Sequence, residues 1–168
     1  MNVLVDTTVL SNFAAAGRLS LLRSVFGTLY MAQGVFEEVQ AGLDEGYTFY
    51  ADLESEIYPF HEAGWLRLVT VEGREELTLL QSMPPKLHRG EAMSLAIAKC
   101  RGWRFLTDDL AARRKADELG ISKAGTLAVL VQAIDRSIIT LEQGNLLLRE
   151  MLAHNYQSPV VDLRELVS

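Results

Sequence analysis

The residues best suited to chemistry in this chain are carboxylates that stand alone where apolar runs end. Asp6 closes the run from Asn2 to Val5 and is the only carboxylate among the first 36 residues. Asp108 and Asp109 follow a second apolar run, Trp103 to Leu106, and with Glu91 they are the only acids between Lys86 and Lys115. If the two runs are neighbouring strands, three or more carboxylates converge, and two of them about 4 Å apart repel by roughly 4 kcal/mol at an effective dielectric of 20. Such a cluster calls for a cation or for protonation. His61, His88 and His154 are scattered and no cysteine is near, so the donors are oxygens alone and point to Mg²⁺ or Mn²⁺ rather than zinc. Thr7, Thr8, Asn12 and Thr107 add short polar side chains suited to orienting water at the same end. Taken singly, Asp6 or Asp109 suits a helix cap, Glu91 a helix N-terminus, and Glu38 a solvated face beside Glu37. The argument rests on the set.

The elements that must position these acids alternate. Asn2–Val5, Thr28–Ala32, Trp65–Val71, Trp103–Leu106 and a short stretch at Ile121 read as strands. Between them, helical spacing covers Val9–Ala14, Gly34–Gly42, Arg74–Ser82, an amphipathic Glu91–Arg101, and Leu110–Leu119 closed by Gly120. Thr126 is expected to cap a helix running to Asp135, Thr140 and Gln143 to form a capping box, and Ser158-Pro159 to open a last helix. Parallel strands need crossover connections, so the pattern predicts an α/β fold: a three-layer α/β/α sandwich around a parallel sheet of four or five strands. In such a sheet ligands bind outside the carboxyl ends of the strands, where Asp6, Asp108 and Asp109 fall.

Length and composition set the frame. With 168 residues, 49% hydrophobic and 23% charged, the chain suits one domain over 1–168 with a helical extension from about 140. No apolar run exceeds Leu127–Val131, and Asp6 interrupts any leader-like stretch, so a soluble, cytoplasmic protein with no membrane contact is expected. Cys100 reads as a buried packing thiol. The net charge of −6 argues against bulk electrostatic binding of nucleic acid, but the charge is unevenly laid out. Ser24 to Leu66 holds no Lys or Arg and eight acids, whereas Lys86 to Lys115 holds eight basic residues against three acids. Within the acidic stretch Tyr47, Phe49, Tyr50, Tyr58 and Phe60 are expected mainly to cover the core, and otherwise to seat a basic or amphipathic partner.

Four stretches, in this order, carry a family likeness: Val3-Leu4-Val5-Asp6-Thr7-Thr8-Val9-Leu10, Val35-Phe36-Glu37-Glu38-Val39, His88-Arg89-Gly90-Glu91-Ala92, and Phe105-Leu106-Thr107-Asp108-Asp109-Leu110-Ala111-Ala112-Arg113. With Leu119-Gly120-Ile121 and Gly125-Thr126-Leu127, the sequence resembles the PIN-domain family of metal-dependent ribonucleases, especially its compact, toxin-like microbial members. The resemblance implies an acidic metal site of Asp6, Glu38, Glu91 and one or both of Asp108 and Asp109, with Thr8 in the accompanying hydroxyl position. It favours Glu38 over Glu37 because Val39 follows directly. Met93 stands where related chains often carry another acid.

The implied reaction is hydrolysis of an RNA phosphodiester by water activated on one or two Mg²⁺ or Mn²⁺ ions, leaving a 5′ phosphate and a 3′ hydroxyl. Single-stranded or looped RNA suits an open cleft better than a stacked duplex, with Lys86, Arg89, Arg101, Arg104, Arg113, Arg114 and Lys115 as strand-holding candidates. For the toxin half of a toxin-antitoxin pair, the resemblance also implies an antitoxin that fills the groove, and a homodimer. Two readings compete. One is a noncatalytic docking module on the same scaffold. The other is a dehalogenase-like phosphohydrolase, which wants a second acid where Thr8 stands.

Overall fold

The computed structural model describes residues 1–48, 51 and 53–168. Six short strands form one parallel sheet: β1 (Val3–Val5), β2 (Leu29–Ala32), β3 (Ile57–Tyr58), β4 (Leu66–Val69), β5 (Arg104–Leu106) and β6 (Lys123–Ala124). The spatial order is β3-β4-β2-β1-β5-β6, all neighbours parallel. Leu4, Val5, Phe105, Leu106 and Met31 are wholly buried, as strands covered on both faces require.

Among the described residues eight helices cover the sheet: α1 (Thr7–Ala15), α2 (Leu19–Phe26), α3 (Gln33–Asp44), α4 (Gly73–Gln81), α5 (Arg89–Arg101), α6 (Leu110–Leu119), α7 (Thr126–Asp135) and α8 (Leu141–Ala153). They sort into two packed groups. In one, α1, α2, α7 and α8 touch one another; in the other, α3, α4 and α6 gather on α5. With the sheet between them, this is the three-layer α/β/α sandwich.

From β1 the chain steps to β2, runs out to β3 at the sheet edge and back to β4, then returns across the sheet to β5 on the other side of β1. Connections therefore leave β1 and β5 in opposite directions, and a crevice opens beyond their carboxyl ends. The register pairs Val5 with Leu106, and the Asp6 N–H donates to the Leu106 carbonyl at 3.1 Å, so Asp6 and Thr107 emerge side by side.

Several sequence expectations are corrected. The sheet has six strands rather than four or five, because the two-residue β3 pairs with β4 inside the acidic stretch, where no alternating pattern marks it. The last strand lies at Lys123–Ala124 rather than Ile121, and α2 lacks any sequence forecast. Helix α5 is not amphipathic: Gly90 through Ala98 are all buried, since α3, α4, α6 and the sheet surround it. Cys100, one residue from its end, is exposed rather than buried. Thr126 does not cap α7; Gly125 holds that position and Thr126 is the first helical residue. The Thr140–Gln143 capping box forms, but Ser158-Pro159 opens no helix, and only a single turn at Leu163–Glu165, capped by Asp162, follows. Of the aromatics in the acidic stretch, Tyr47 and Tyr58 are exposed rather than core-covering, whereas Phe60, though 48% exposed, lays its ring against the core Phe36 at 5.2 Å; Phe49 and Tyr50 lie outside the described residues. No helix is long and apolar enough to cross a membrane among the described residues.

Candidate functional site

Asp6 leaves β1 and caps α1 at once. It is 1% exposed; Oδ1 accepts from Thr8 Oγ1 at 2.6 Å and the Val9 N–H at 3.2 Å, and Oδ2 accepts from Thr107 Oγ1 at 2.5 Å. Burial pushes its pKa up to about 7 in spite of these donors, and the charge of Asp108 adds to the push. Thr8 ties the two strand ends together, because its Oγ1 also accepts from the Asp108 N–H at 2.8 Å.

Glu91 sits in the first turn of α5, where its Oε2 accepts from the His88 N–H at 3.3 Å, so it also serves its helix N-terminus. Burial and then the charges of Asp109 and Asp6 push its pKa up to about 8; the His88 hydrogen bond pulls the other way and Glu38 repels further. No Lys or Arg among the described residues pairs with it. Glu91, Asp6, Asp109 and Glu38 thus share one electrostatic neighbourhood.

Glu38 reaches this neighbourhood because two helices pack unusually close. A Cβ on Gly34 of α3 would stand 2.9 Å from Gly90 Cα of α5, and one on Gly90 would stand 2.7 Å from Glu38 Oε1. With glycine at both positions the backbones touch, and Glu38 accepts from the Gly90 N–H at 3.1 Å and from Thr7 Oγ1 at 2.5 Å. Its neighbour Glu37 is turned to solvent, where it pairs with Arg89 at 3.5 Å.

The two late aspartates differ. Asp108 is fully engaged: Oδ1 accepts from the Thr126 N–H at 2.9 Å, and Oδ2 from Thr126 Oγ1 at 2.5 Å and Asn12 Nδ2 at 3.0 Å. Asp109 caps α6 through one oxygen only, with Oδ2 accepting from the Ala112 N–H at 2.8 Å. Thr126 has no place among the sequence-derived site residues. The signal for it was the strand-end rule itself, since Gly125-Thr126 follows β6 as Thr107-Asp108 follows β5.

The fit to a divalent cation divides into chemistry and distance. The donors are hard oxygens, and two buried carboxylates with raised pKa values make a site that favours added positive charge. Yet among the described residues no group of three or more His, Cys, Asp or Glu side chains stands close enough to hold a metal ion. Threonine hydroxyls and backbone N–H groups, several of them from neighbouring elements, occupy oxygens of Asp6, Glu38 and Asp108.

Comparison with known proteins adds one finding: residues 2–161 match a family model described as a PIN domain. No curated protein matches the sequence.

Proposed function

This chain belongs to the PIN-domain family, whose members are generally nucleases that use divalent metals, and from that premise we propose that it is a Mg²⁺- or Mn²⁺-dependent ribonuclease. The observation that carries the reading is the field around Glu91: a buried, uncompensated carboxylate repelled by Asp109, Asp6 and Glu38. Evolution rarely leaves such repulsion buried without a use for it.

Asp6, Glu91, Asp109 and Glu38 would hold the metal, with Asp109 preferred to Asp108 because its charge, like those of Asp6 and Glu38, acts on Glu91. When bound, the metal lowers the pKa of a water and neutralises charge growing on the phosphate. Thr8 and Thr107 orient the Asp6 carboxylate, and Thr7 does the same for Glu38. Asp108 positions: it joins the end of β5 to the start of α7 and, through Asn12, to α1. Single-stranded or looped RNA is the proposed substrate. An antitoxin partner and a homodimer belong to the same proposal and rest on the sequence's resemblance to toxin-like members alone.

A second reading, a noncatalytic docking module, is supported by the exposed acidic-aromatic region, where Tyr47, Tyr58 and Phe60 are 52%, 40% and 48% exposed. One assay separates the two. Unstructured RNA is incubated with wild type, Asp6→Asn and Glu91→Gln in Mg²⁺, Mn²⁺ or EDTA. The nuclease reading expects metal-dependent cleavage that falls by about 100-fold or more in both variants, since ligands should matter at least as much as the residues that orient them. Undiminished cleavage by the variants, or none by wild type in either metal, contradicts it.

A further inference from the structure

A groove of about 470 Å³ runs beside the carboxylates, lined among others by Arg104, Arg113, Lys123, Leu110, Leu127 and Tyr156. Asp108 also borders it, and Leu110 on its wall directly follows Asp109, so the groove adjoins the strand end that carries the late aspartates. That volume lies within the roughly 300–1,000 Å³ of small-ligand sites.

The charges in this groove are unusual for a chain of net charge −6. Three of the eight basic residues of the 86–115 stretch are ion-paired: Arg101 is bound to Glu76 and Glu72, Arg89 to Glu37, and Lys115 to Glu118. Lys123 pairs with Asp117. Arg104 and Arg113 make no ion pair with any described residue, and both line the groove. Arg113 Nη1 donates to the Thr107 carbonyl at 2.9 Å, which fixes the guanidinium next to the strand end that carries the acids. Arg104 Nε is buried and has no hydrogen-bond partner. The one acid on the wall, Asp108, spends both oxygens on Thr126 and Asn12 and forms no ion pair with either arginine, so a single negative charge faces two guanidinium groups and the wall stays net positive.

The remaining wall is apolar or aromatic. Leu110, directly after Asp109, is 68% exposed. Tyr156 is partly buried and hydrogen-bonded to the Leu127 backbone; burial and then the nearby Asp108 charge hold its pKa above the usual range, so it stays a neutral ring. Gly125 keeps the floor clear, since a Cβ there would stand 2.4 Å from Asp108 Oδ1 and 3.2 Å from Arg113 Nη1.

We infer that this groove seats the nucleotide next to the scissile phosphate of a single-stranded RNA, Arg104 and Arg113 holding its phosphate and Leu110 and Tyr156 flanking its base. The inference rests on the ribonuclease reading for the word "scissile", but not for binding itself. Guanidinium groups match phosphate oxygens in a planar fork, and aromatic or apolar walls accept any base face.

The test measures equilibrium binding of a short unstructured RNA in EDTA, where cleavage plays no part, at several salt concentrations. Arg104→Met with Arg113→Met should weaken binding at least tenfold and flatten the log–log salt slope by about 1.4, two charges at about 0.7 each for a single strand. Leu110→Glu, at an exposed position that folding does not depend on, should weaken binding about tenfold at low salt by putting a negative charge in the groove. Circular dichroism and melting of each variant accompany the titrations, and if the arginine pair fails to fold, Leu110→Glu decides. Wild-type affinity and slope in the folded variants, no RNA binding by wild type, or the same arginine dependence for an acidic peptide in place of RNA would each overturn the inference. Arginine-dependent RNA binding without any metal-dependent cleavage would leave the groove assignment standing and remove the nuclease.

Discussion

Glu76 and Glu91 are buried to the same extent, 6% exposed each, and both pack at α5, yet their surroundings push them in opposite directions. Burial raises the pKa of Glu76, but the Arg101 guanidinium more than reverses it, with Nε at 2.6 Å from Oε1 and Nη2 at 3.0 Å from Oε2, and the Glu72 N–H adds a third donor. Glu91 meets burial and three other carboxylates, with one backbone N–H in its favour. The first carboxylate holds the α4–α5 contact together. The second is kept at a cost to the fold, the contrast that the proposed ribonuclease site would explain.

The comparison breaks most visibly if the partner of Glu76 is removed. Arg101→Met should destabilise the protein by about 3 kcal/mol in chemical denaturation, because a buried carboxylate is left unpaired, and adding Glu76→Gln should recover most of that. A loss below about 1 kcal/mol would mean that Glu76 is solvated in a way its burial does not suggest.

For Glu91 the sign reverses. The folded state keeps the protons of Asp6 and Glu91 up to about 7 and about 8, whereas ordinary values are 3.8 and 4.5. More protons are bound folded than unfolded across that window, so their contribution to stability falls as pH rises through it. Glu91→Gln should therefore be more stable than wild type by about 2 kcal/mol at pH 8.5 without divalent ions, and close to wild type at pH 5. Glu76 behaves conversely: its contribution is present above the ordinary carboxylate range and is lost as pH falls below it. Equal melting of Glu91→Gln and wild type at both pH values would contradict the assignment of Glu91 as uncompensated.

The smallest effect sharpens the picture at Glu38. Thr7→Val removes one hydrogen bond to a half-buried carboxylate and should cost about 1 kcal/mol in thermal or chemical melts. A cost near 3 kcal/mol would make Thr7–Glu38 a structural pair on the model of Arg101–Glu76.

What the sequence makes legible follows from what each feature depends on. The strand ends at Asp6 and Asp108 can be read because solitary acids interrupt apolar runs, and the sheet order then juxtaposes them. The amphipathic forecast for α5 fails because its charged residues cluster at the ends, Arg89 and Lys99–Arg101, around a centre buried on every side. Cys100, between Lys99 and Arg101, shares that charged end and is exposed. The different fates of Asp108 and Asp109 were not legible, because they depend on Thr126 and Asn12, which lie 18 and 96 residues away from Asp108 in sequence. Nor was the sorting of the basic residues, since only the fold shows that Arg101 is consumed by Glu76 while Arg104 and Arg113 make no ion pair with any described residue.

The central claim, that Asp6, Glu91 and Asp109 make a cation site, is tested most directly by calorimetric titration of Mn²⁺ into the protein at pH 7 in two buffers of different ionisation enthalpy. Since Glu91 holds its proton to about pH 8 and Asp6 to about pH 7, binding should release about one to two protons, and both binding and release should be lost in Asp6→Asn. Buffer-independent heats, or Mn²⁺ binding unchanged by Asp6→Asn, would contradict it.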